Sequence, residues 1–109
     1  DAHVAAMLVR QALERKPAGK SYLVALLRRK LIDRELAEQT VELLLVDRDE
    51  NELAYDALVR RKRVLFSSKQ IEVETLRRRA YTYLSRRGIG YAAAKAAFER
   101  ILKETETAD

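Results

Sequence analysis

The chain has 109 residues, is 48% hydrophobic and 36% charged, and carries a formal net charge of +5; this is enough for one domain or two very small ones and argues against general disorder. It has no cysteine and one histidine, His3, so no disulfide framework, thiolate metal site or His-dependent triad can form, and an imidazole-built zinc or haem site is not expected. No apolar run approaches the ~18 residues of a membrane span.

Ala, Leu, Arg, Glu and Lys dominate, with three Gly and one Pro, which predicts an all-α protein. Ala2–Lys16 reads as the first helix, with Val4, Leu8 and Ala12 on one stripe, and Pro17-Ala18-Gly19 breaks it. Ser21–Lys30 is the second. The third opens at Asp33, whose carboxylate can cap free backbone amides while Ile32 staples onto Ala37. A polar joint at residues 47–51 leads to a fourth helix over about Glu50–Phe66. Ser67-Ser68-Lys69-Gln70 has the spacing of a capping box and predicts a fifth helix from Ser67 to Arg87, closed by Gly88 as its left-handed residue. The sixth runs from about Tyr91 to Lys103, and the acidic tail from Glu104 to Asp109 is expected to fray.

The halves resemble each other. Shifting Ala25–Leu45 by 57 places it on Thr82–Leu102 with six of 21 positions identical, among them Leu27/Leu84, Arg29/Arg86, Ile32/Ile89 and Ala37/Ala94. Leu8-Val9-Arg10 returns as Leu58-Val59-Arg60 at a shift of 50, so the second copy holds about seven extra residues between its first two helices. The pattern predicts two tandem three-helix repeats, residues 1–46 and 47–109, packed as an elongated helical array of either hand.

Charge is unevenly spread. From Arg60 to Arg87 ten Lys/Arg face two Glu, a local net of +8; from Glu42 to Asp56 six acids face one Arg, a local net of −5. An anionic partner on one side is expected. The candidate binding residues are Arg28, Arg29 and Lys30; Arg60, Arg61, Lys62 and Arg63; Arg77, Arg78 and Arg79; and Arg86 and Arg87. The turn at Gly88 has the outline of a helix-turn-helix, but the helix after it begins Tyr91-Ala92-Ala93-Ala94 and offers almost nothing to read base edges. Glu35, Glu38 and Glu42 on its counterpart would repel phosphate. Arginines near helix ends also serve the helix dipole, tyrosines mostly pack, and Ser67 and Ser68 suit caps better than nucleophiles. With no Gly-rich phosphate loop and no carboxylate pair in an apolar setting, no catalytic residue is assigned and no enzymatic activity is expected.

Leu84-Ser85-Arg86-Arg87-Gly88-Ile89-Gly90-Tyr91, followed by an alanine-rich helix ending Phe98-Glu99-Arg100-Ile101, resembles the C-terminal repeat of the bacterial RecX regulatory proteins. Leu8-Val9-Arg10, Arg15-Lys16-Pro17-Ala18-Gly19 and Leu26-Leu27-Arg28-Arg29-Lys30 are similar to that family's middle repeat. The family usually has three such repeats where two stand here; Leu31 stands where the middle repeat commonly has Gly, and Ile89 where the last commonly has an aromatic. The resemblance implies a modulator that lies along the RecA–single-stranded-DNA filament and lowers ATP turnover and strand exchange, without a cofactor. A cytoplasmic monomer is expected, as a fragment or processed chain since it starts at Asp1. Two other readings stay open: a binder of bare DNA or RNA, and a protein-interaction scaffold.

Overall fold

The computed structural model describes residues 1–66 and 71–107. The chain is all-α: α1 (Ala2–Arg15), α2 (Lys20–Arg29), α3 (Arg34–Leu45), α4 (Glu50–Arg60), a single turn α5 (Lys62–Leu65), α6 (Val73–Arg86) and α7 (Tyr91–Thr107). Side-chain carboxylates start three of them. Asp1 accepts from the Val4 amide at 2.9 Å, Asp33 from Glu35 and Leu36 at 3.1 and 3.3 Å, and Asp49 from Asn51 at 2.8 Å; each satisfies amides that the first helical turn leaves open.

Two hydrophobic clusters form. One gathers α1, α2 and α3 around Val9, Leu23, Leu27, Ile32, Ala37 and Val41. The other gathers α4, α6 and α7 around Leu58, Leu84, Ile89, Ala94, Phe98 and Ile101, with α5 adding Leu65. Under the shift of 57, buried positions fall on buried positions: Leu23 on Ala80, Leu27 on Leu84, Ile32 on Ile89, Val41 on Phe98. The alanine-rich face of α7 (Ala93, Ala94, Ala97) is buried, since methyl groups let the α4 backbone approach closely.

Helices α2 and α6 end in the same hydrogen-bonded turn. Ile32 and Ile89 donate their amides to Leu27 and Leu84 at 3.1 and 2.9 Å, while Leu31 and Gly88 donate to Arg28 and Ser85 at 2.9 and 3.0 Å. The turn requires a left-handed residue. Gly88 meets it at φ +78°; Leu31 meets it at φ +64° with its side chain 94% exposed.

The halves join at two backbone segments. The Gly19 amide donates to the Arg87 carbonyl at 2.7 Å, and a Cβ on Gly19 would fall on the Gly88 carbonyl. The Arg87 guanidinium crosses the same joint, donating from Nε to the Pro17 carbonyl at 3.1 Å and stacking on the Tyr22 ring at 4.1 Å. The result measures 50 × 23 × 21 Å. Its radius of gyration of 15.4 Å exceeds the ~13 Å of a compact chain this long.

Three boundaries differ from the sequence expectation. The fourth helix stops at Arg60 because Arg61 leaves helical geometry (φ −101°, ψ 7°) and its guanidinium lies over the Tyr83 ring at 4.9 Å. The expected cap at Ser67 and Gln70 lies outside the described residues; α6 itself begins at Val73 after Glu72. The tail beyond Lys103 continues as helix to Thr107 instead of fraying. Glu104 holds it, accepting from the Tyr55 hydroxyl at 2.8 Å and pairing with Arg100 at 3.7 Å, while Arg100 covers the Tyr55 ring at 3.6 Å and reaches Glu52 at 3.2 Å.

Leu31→Gly is expected to stabilise the protein by about 1 kcal/mol, read as a higher urea midpoint, because the left-handed strain of a β-carbon is removed and no packing is lost. Gly19→Val should keep helicity while separating the halves, seen in solution scattering as a larger radius of gyration. The hydrogen bond to Glu104 raises the Tyr55 pKa above its ordinary value, with desolvation adding to it. A raised folded-state value means the contribution is whole below the ordinary tyrosine pKa and lost as pH rises through the folded one. Glu104→Gln should lower the Tyr55 titration midpoint followed by ring NMR shifts.

Candidate nucleic-acid interface

Helix α6 turns Ala80 and Leu84 inward, both fully buried. At 100° per residue the opposite arc carries Arg78, Arg79, Thr82, Ser85 and Arg86, and all five are exposed. Arg79 and Arg86 stand two turns apart, about 10 Å along the axis. The exposed positions of the arc hold three guanidinium forks and two hydroxyls, with half-buried Thr75 also on it and Glu74 at its edge. Thr82 and Ser85 went unnoticed in the sequence; their positions three and six residues after Arg79 were the available clue.

The twelve basic candidates divide by what their side chains touch. Five are committed within the chain. Arg28 donates to the Ile32 carbonyl at 3.3 Å and closes the end of its own helix. Arg60 pairs with Asp56 at 3.4 Å and donates to the Arg15 carbonyl at 3.3 Å. Arg61 and Arg77 are half-buried, over Tyr83 at 4.9 Å and Phe98 at 5.3 Å, and Arg77 also pairs with Glu74 at 3.4 Å. Their buried Nε atoms have no hydrogen-bond partner among the described residues, so the ring faces carry the compensation. Arg87 is spent on the joint.

Seven remain exposed with no hydrogen bond, ion pair or ring contact among the described residues: Arg29, Lys30, Lys62, Arg63, Arg78, Arg79 and Arg86. Three of them share the α6 arc, Lys62 and Arg63 sit on α5, and Arg29 and Lys30 end α2. Arg29 and Arg86 hold the same place in their two halves under the shift of 57. Arg29 also rims a groove of about 810 Å³ floored by Val24, Ala25, Gly88 and Gly90.

Guanidinium groups offer paired donors in a fixed plane that matches phosphate oxygens, and hydroxyls beside them add donors of the same kind. Helix α7, which would be the reading helix of a helix-turn-helix, exposes Tyr91, Ala92, Lys95, Ala96 and Glu99 and turns its other face into the core. The exposed face of α7 thus offers little that could read base edges. No group of three His, Cys, Asp or Glu side chains among the described residues could hold a metal ion, and no described helix is long and apolar enough to cross a membrane. Comparison with protein-family models, curated proteins and solved structures finds no match for the chain.

Proposed function

We propose that the chain is a non-enzymatic helical module that grips a phosphate-bearing partner through the outer face of α6, and that it acts in the manner of RecX proteins on a RecA–single-stranded-DNA filament, slowing ATP turnover and strand exchange. One observation carries the polyanion reading: Arg78, Arg79 and Arg86 stand on one exposed arc with no side-chain partner among the described residues and no acid among them. The rod shape supports docking along a filament, since a body 50 Å long and about 20 Å thick can follow a groove. The choice of RecA rests on the resemblance of residues 84–91 and 8–30 to that family.

Added to pre-formed filaments, the protein is expected to lower the ATP hydrolysis rate; an unchanged rate at saturating protein would overturn the filament reading. Equal affinity for single-stranded DNA with and without RecA would move the function to bare nucleic acid. Replacing Arg78, Arg79 and Arg86 together by Gln should leave helicity intact and reduce the magnitude of the log affinity–log salt slope by about 2, at roughly 0.7 per lost phosphate contact. An unaltered slope would take the α6 arc out of the interface.

A further inference from the structure

A second basic feature lies at the joint, apart from the α6 arc. One stripe of α1 (Leu8, Gln11, Ala12, Arg15) and one stripe of α2 (Tyr22, Leu26, Lys30) face each other across a cavity of about 480 Å³. Lys16 and Arg87 close its end. Four cations line this space and no carboxylate does. Arg87 is engaged by the Pro17 carbonyl and the Tyr22 ring. The side chains of Arg15, Lys16 and Lys30 are exposed and make no hydrogen bond or ion pair among the described residues.

Like charges share this cavity with no carboxylate in its lining, so an anion bound there would be favoured. The rest of the lining is different in kind. Leu8, Leu26 and the Tyr22 ring are apolar, and the Gln11 amide adds one donor and one acceptor. A lining that combines apolar side chains, an amide and cations matches a molecule with a flat heterocycle and a phosphate. The volume falls in the range of small-ligand sites, about 300–1,000 Å³.

We infer that this cavity binds a nucleoside phosphate, its phosphate held by Arg15, Lys16 and Lys30 and its base set against Tyr22 and Leu26 beside Gln11. Arg87, already held by the joint, brings the other half to the edge of the site. The nucleoside phosphate is either a free nucleotide or one unit of a nucleic-acid strand crossing the joint.

The test is calorimetric titration of the whole chain with ADP, with inorganic phosphate, and with ADP in the presence of a short oligothymidylate. ADP should bind more tightly than inorganic phosphate. Lys30→Glu and Arg15→Glu should each weaken ADP binding about tenfold or more, with helicity unchanged; Lys30→Gln and Arg15→Gln serve if a reversal disturbs the fold. Arg79→Glu, on the α6 arc, should leave ADP binding as it was, which separates this site from the proposed filament face. Displacement of ADP by the oligonucleotide identifies a strand as the source, and its failure to displace identifies the free nucleotide. No ADP binding at millimolar concentration, binding no tighter than phosphate, or binding indifferent to both pocket reversals would overturn the inference.

Discussion

Where the Gly19 amide meets the Arg87 carbonyl at 2.7 Å, two small helical clusters become one rod. Each cluster alone is thin: among the described residues, eight are buried in the first and twelve in the second, far fewer than a comfortable independent core. They share almost no helix-on-helix packing, because the contact is made by the segment before α2 and the turn after α6. Both must be bare at the crossing. A side chain on Gly19 would strike the Gly88 carbonyl, and one on Gly88 would strike the Tyr22 amide and Cβ. Arg87 then seals the edge by taking the Pro17 carbonyl and covering Tyr22. The candidate surfaces inherit their spacing from this one crossing, since it sets how far the α6 arc stands from the end of α2.

The same turn serves different ends in the two halves. At Gly88 the left-handed residue is chosen for absence of bulk, because another backbone passes over it. At Leu31 nothing passes over it, and the backbone geometry survives a leucine held by the paired hydrogen bonds and by the buried Leu27 and Ile32 beside it. With its side chain standing into solvent, the first turn cannot receive a neighbour in the way that the second receives α2.

Much of this was legible in the sequence where local rules act alone. The break at Pro17–Gly19, the cap at Asp33, the staple of Ile32 and the left-handed Gly88 all follow from backbone chemistry within a few residues, and each has its place in the structure. What lay hidden depended on partners far along the chain. Arg61 ends α4 where it lies over Tyr83, and the tail stays helical because Tyr55 and Arg100 hold Glu104. The candidate surface was half legible for the same reason. Basic clusters show in the sequence, but whether an arginine faces water or a ring depends on a tyrosine or phenylalanine about twenty residues away in Arg61 and Arg77, and sixty-five away in Arg87.

The acids explain why the remaining positive charge is concentrated. The segment from Glu42 to Asp56 could be taken for an acidic face seeking a cationic partner, yet three of its six carboxylates turn to the chain's own cations: Glu42 to Lys20 at 2.6 Å, Glu52 to Arg100 at 3.2 Å, and Asp56 to Arg60 at 3.4 Å. Exposed pairs of this kind add little stability, about 0–1 kcal/mol each. Their consequence is for the field. By neutralising cations along α2, α4 and α7 they leave the outer arc of α6, the α5 turn, Arg29 at the end of α2 and the cavity at the joint among the places where positive charge has no acidic partner in the described residues. The proposed grip on a polyanion would therefore follow from where the acids are not, since the outward arc of α6 contains none.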